Sequence, residues 1–154
     1  MSVERMVMTG ARGFIAGARN ANAARMHVED AFTTVMLDLS RLQRTDIDLP
    51  GLHRQVRDVD FALARLCDAL ESRADTDDVA RDAYHIVLGL GQLLDGADSE
   101  DRRTSDALDL TRIAVAELLD TLAPFVSNAD LALRMVVLDG TSIELATRWL
   151  HAQR

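Results

Sequence analysis

The sequence predicts an all-α fold, a single-domain antiparallel bundle of six or seven helices. Three observations carry that reading. Apolar residues recur at three- and four-residue spacing through nearly all of the 154 residues. No two alternating segments are joined by an Asn-Gly-type turn. The breaks between periodic segments are short, so consecutive helices pack antiparallel.

Residues 27–44 place Val28, Phe32, Val35, Leu39 and Leu42 on one face. Pro50 disfavours helix in the residue before it and Asp48 offers a cap, which separates this segment from the next. Residues 51–73 align Leu52, Val56, Val59, Leu63, Leu66 and Leu70. Thr76, Asp77 and Asp78 are candidate caps for a helix over 78–95, with Val79, Ala83, Ile86, Leu90 and Leu93 as its core face. Gly96 is expected to stop that helix in the left-handed conformation. The polar run DGADSEDRR reads as an exposed loop before a helix over 104–126, whose last turn Pro124 disturbs. A short helix over 129–139 ends at Gly140, and Thr141-Ser142-Ile143-Glu144 has the capping-box pattern that opens a final helix.

Residues 1–26 differ in kind from the bundle over 27–154. They hold Arg5, Arg12, Arg19 and Arg25 against Glu4 alone, a net charge of +3 within a chain of net charge −8. Arg5, Arg12 and Arg19 recur every seven residues, and so share one side of a helix. Gly10, Gly13, Gly17, Ala21 and Ala24 recur at three- and four-residue spacing, which permits close approach of another helix. Each Gly also costs about 1 kcal/mol of helix propensity, so the segment is expected to need a partner to hold its shape.

Composition excludes several functions. All 17 basic residues are Arg, which removes Schiff-base chemistry, a lysine general base and a Walker-type phosphate lysine. One cysteine, Cys67, excludes an internal disulfide and a multi-cysteine metal cage. No apolar run has the length of a membrane span, and a cytoplasmic protein is expected. The acidic body argues against nonspecific nucleic-acid binding, and no cofactor is indicated.

Candidate chemistry is sparse. His27 with Asp30, and Asp82 with His85, have metal-ligand spacing but lie opposite the core stripes of their helices, so both pairs are expected to face water. Asp106, Asp109, Glu117 and Asp120 form an acidic stripe on helix 104–126 and call for a cation. That cation is either the arginine stripe or a divalent metal supporting nucleotide or phosphate hydrolysis, the alternative enzymatic reading. Residues 129–154 have the outline of a helix-turn-helix with Arg148, His151 and Arg154 on its second helix, the basis of a DNA-binding alternative. Cys67 falls on a core stripe as an inert thiol.

Apolar residues on otherwise polar faces are the remaining signal. Leu37, Phe61, Tyr84 and Leu88 lie opposite the core stripes of three successive helices. Either a second layer of the same chain covers them or another subunit does. The expectation drawn is a non-enzymatic interaction protein that self-associates, most simply as a dimer. Leu37, Phe61, Tyr84 and Leu88 serve as its apolar contacts, and Arg5, Arg12 and Arg19 as a docking stripe for a protein partner.

Overall fold

The computed structural model describes residues 11–137 and 142–153, without the side chains of residues 11–20, 135, 142 and 146. The described residues form six α-helices and no strand: α1 (Ala11–Gln43), α2 (Leu52–Ser72), α3 (Asp77–Asp95), α4 (Arg102–Leu122), α5 (Asn128–Val137) and α6 (Ser142–Gln153). A 3₁₀ turn, Ala123–Phe125, follows α4, where Pro124 cannot continue its hydrogen bonding. None of these helices is long and apolar enough to cross a membrane.

The first four helices close into a ring, α1 packing on α2 and α4, and α3 on α2 and α4. Neighbours run antiparallel. Val28 shares one recess with Cys67, and Leu39 shares the next with Val56. Gln55, early in α2, lies against Gly89, late in α3. The segments Arg44–Asp48 and Asp98–Thr104 wall a common recess of about 540 Å³, so the end of α1 is level with the start of α4. A second layer is laid over one side, with α6 on α4 and α5 on α3. The core runs through both layers, from Val28, Val35, Leu39 and Leu42 on α1 to Ile143 and Leu150 on α6.

Local sequence explains the boundaries. Gly51 caps α2 at φ 84°, a left-handed conformation that a β-carbon disfavours. Asp101 caps α4 by accepting the Thr104 N–H at 3.0 Å and the Thr104 hydroxyl at 2.8 Å. These two bonds hold the Asp101 carboxyl below its usual pKa. Before α5, Ser127 Oγ accepts the Asp130 N–H and donates to the Asp130 carboxylate at 2.9 Å.

Two expectations are corrected. Gly96 ends α3 at φ −70°, a right-handed conformation. The Gly96 N–H still closes on the Gln92 carbonyl at 3.1 Å, and Arg112 of α4 adds to the hold by donating to the Leu94 carbonyl at 3.0 Å and the Ala97 carbonyl at 2.6 Å. A cation there also suits the negative end of the helix. Second, the buried face of α3 is Ala80, Ala83, Tyr84, Val87, Leu88, Leu90, Gly91 and Leu94, whereas Val79, Ile86 and Leu93 are only half-buried. The second layer pulls the buried arc round by about one residue position, roughly 100°. Tyr84 and Leu88 are therefore core residues covered by their own chain rather than surface contacts.

The two glycines at helix boundaries should respond oppositely to alanine. Gly96→Ala meets only ordinary contacts at 3.7 Å, and should raise stability by about 0.5 kcal/mol in urea denaturation. Gly51→Ala, forced to positive φ, should lower it by about 1 kcal/mol. Asp101→Ala should lower stability at neutral pH. Because the native Asp101 pKa is depressed, that loss should be full above the unfolded carboxylate range, about pH 4. It should shrink as pH falls through the native value, which thermal melts between neutral pH and strong acid can follow.

Candidate docking surface

Large apolar side chains stand in water on α1 and α2 (Met26, Met36, Leu37 and Phe61) and also on α4, α5 and α6 (Leu110, Leu133, Val136, Leu145 and Trp149). Among the described residues, only the α1/α2 set adjoins a groove between its helices that apolar residues line. Leu37 sits half a turn from the Val28–Val35–Leu39 stripe and is 59% exposed. Phe61 sits half a turn from Val59 and Leu63 on α2 and is 68% exposed. Both keep the outward orientation that the sequence assigns them. Between the two helices runs a groove made of two recesses that share Phe32. One, about 270 Å³, is lined by Val28, Leu63, Ala64 and Cys67 together with the carboxylates of Glu29, Asp60 and Asp68. The other, about 440 Å³, is lined by Met36, Leu37 and Val56 among others. Met36 and Met26 add to the exposed apolar area. Burying one such side chain is worth roughly 1.5–3 kcal/mol, so this face has apolar area to offer a partner.

Cys67 is half-buried at the groove floor. Burial pushes its thiol pKa up, and the Glu29 carboxylate adds to the effect while Arg25 opposes it. The thiolate is the reactive form, so this cysteine is a poor nucleophile, as expected from its place on a core stripe.

The other expected site residues fall apart spatially. Arg5 lies outside the described residues, as do the side chains of Arg12 and Arg19. Within the acidic stripe, Asp106 and Glu117 are exposed. Asp109 pairs with Arg112 at 3.3 Å, and Asp120 turns inward. Among the described residues no group of three or more His, Cys, Asp and Glu is placed to hold a metal ion. His27, Asp30, Asp82 and His85 are on the surface. On α6, Arg148 is exposed and ion-pairs with Glu144 at 3.5 Å, while His151 engages Asp120. Arg154 lies outside the described residues.

A polar cluster that helix periodicity does not reveal joins α3, α4, α5 and α6. Arg134, buried on α5, donates to Asp120 Oδ1 at 2.9 Å and to Thr147 Oγ1 at 2.6 Å. Thr147 in turn donates to the Ile143 carbonyl at 2.9 Å. His151 Nε2 lies 3.0 Å from Asp120 Oδ2. At the edge of the cluster, His85 Nε2 lies 3.0 Å from Asp130 Oδ1, tying α3 to α5. The Tyr84 hydroxyl is enclosed beside Arg134 but meets no partner in hydrogen-bonding geometry among the described residues. Burial raises its pKa, against the opposing pull of Arg134. The visible work of the cluster is to fasten the second layer to the first. Its only sequence trace is a single arginine inside the apolar run LALRMVV.

The chain matches no protein-family model, no curated protein and no solved structure.

Arg134→Ala should cost about 3 kcal/mol in chemical denaturation, because it strips a buried carboxylate of its main partner. Tyr84→Phe should cost little and should gain up to about 1 kcal/mol, since it removes an enclosed hydroxyl that lies beside Arg134 without a well-formed hydrogen bond among the described residues. A large loss on Tyr84→Phe would show that the hydroxyl is bonded.

Proposed function

We propose that this chain is a helical-bundle interaction protein, an adaptor, regulatory or assembly component, that docks through the α1/α2 face and associates with itself. One observation carries the reading: a groove between α1 and α2 is lined by the exposed Met36 and Leu37, and Phe61 stands exposed on the same pair of antiparallel helices. Scattered single apolar residues on a surface need no explanation, but exposed apolar residues lining a groove are of the kind that interfaces use. Homo-oligomers with closed symmetry are common and the two-fold dimer is the commonest, so a dimer is the simplest assembly that hides this face. A cytoplasmic setting fits the free thiol of Cys67.

Sedimentation velocity over a range of protein concentrations tests the reading. The wild-type chain should shift from monomer to dimer as concentration rises. Leu37→Glu/Phe61→Glu should remain monomeric with unchanged far-ultraviolet dichroism, since both positions are solvent-facing and tolerate polar side chains in the fold. A wild-type chain that sediments as a monomer throughout would end the self-association reading.

A further inference from the structure

The two layers of the fold are held by different kinds of contact. Among the described residues, the buried apolar core draws on α5 and α6 only through Ile143 and Leu150, with Leu131 and Val137 packed half-buried against it. Ile143 seats in a notch between α3 and α4, where a β-carbon on Gly91 would meet Ile143 Cγ1 at 3.6 Å and Val115 Cγ1 at 3.7 Å. Four other bulky apolar side chains of this layer, Leu133, Val136, Leu145 and Trp149, stand in water.

The remaining hold is polar. Asp120 of α4 takes Arg134 of α5 on one carboxylate oxygen at 2.9 Å and His151 of α6 on the other at 3.0 Å. Arg134 also donates to Thr147 of α6, and His85 of α3 meets Asp130 of α5. Removing one partner in place strands a buried charge, but lifting the layer gives both partners to water, so the net hold of such bonds is small. The ring is closed instead by apolar stripes on four helices of 19 to 33 residues. α5 and α6 have 10 and 12 residues, lengths at which a helix parted from its neighbours is marginal in water. Pro124 interrupts the backbone hydrogen bonding between α4 and α5, so loss of α5 stops short of α4.

We infer that α5 and α6 form a cover that opens as one unit, hinged at residues 123–127, while the four-helix ring stays folded. Arg134 and Asp120 make it one unit, because lifting either helix breaks bonds in which the other shares. Opening lays bare Val115 and one side of α3, where Tyr84, Leu88 and Gly91 recur at i, i+4 and i+7. The fold thus encloses an apolar surface, across the ring from the α1/α2 groove, that the open form alone presents.

Hydrogen exchange of the full chain, followed residue by residue by NMR in urea below the unfolding midpoint, tests this. Amides of α5 and α6 should share one opening equilibrium, about a hundredfold or more above that of central α2. Its urea dependence should be shallower, because less surface is exposed. Leu66→Ala, deep in the ring on α2, should speed α2 exchange about a hundredfold and leave α5 and α6 unchanged, since the ring is folded in both forms. Val59→Ala on the same stripe makes the comparison if the Leu66 variant does not fold. Arg134→Ala should speed α5 and α6 together. If the α2 substitution speeds α5 and α6 as much as α2, the cover opens only with the whole chain and the inference is overturned. Different urea dependences for α5 and α6, or an Arg134→Ala effect confined to one of them, overturn it equally.

Discussion

A helix that must hide Leu108, Ala114, Val115, Ala116, Leu118, Leu119 and Leu122 needs cover round more than half its circumference, and α4 finds it in α1, α3 and α6. This demand orders the rest of the molecule. Three neighbours on one helix cannot come from a four-helix ring alone, which supplies two. The third has to be a further element on the outside, and α6 fills that place with Ile143 and Leu150. The exposed sector that remains on α4 carries Asp106, Asp109 and Glu117.

The second layer then needs fixing in rotation as well as in position. Apolar contact is nondirectional, so Ile143 and Leu150 alone would allow α6 to slide or turn. The buried Arg134 supplies direction, because a guanidinium bonded both to Asp120 and to Thr147 ties three helices at set angles. Replacing such a buried pair by apolar groups often costs little or even stabilises a protein, so the value of this one lies in setting a single arrangement. Among the described residues the enclosed Tyr84 hydroxyl is the one buried side-chain group without a hydrogen bond.

Much of the fold was legible because burial and helical period coincide. Leu52, Val59, Leu63, Leu66 and Leu70 lie on one stripe in the sequence and are buried in the structure. Helical period misleads where a helix has neighbours on more than one side. On α3 almost every apolar position is at least half-buried, so period alone does not say which stripe is central and sets Tyr84 and Leu88 outside. On α1 and α2, each with one dominant face, it sets Leu37 and Phe61 outward, where they are exposed. The Arg134–Asp120 pair joins residues of different helices, and no spacing rule within one helix reports it. The groove was hidden for the same reason, since it belongs to two helices and to neither alone.

The end of α3 has a wider meaning. Its stop is shared between the backbone N–H groups of Gly96 and Ala97 and a guanidinium on the following helix. A chain that has made α3 but not yet docked α4 lacks the guanidinium, and its last turn frays more readily. Full ordering of that boundary therefore waits on tertiary assembly. Amide protection around Leu94 to Ala97 becomes a local gauge of whether the two helices have come together.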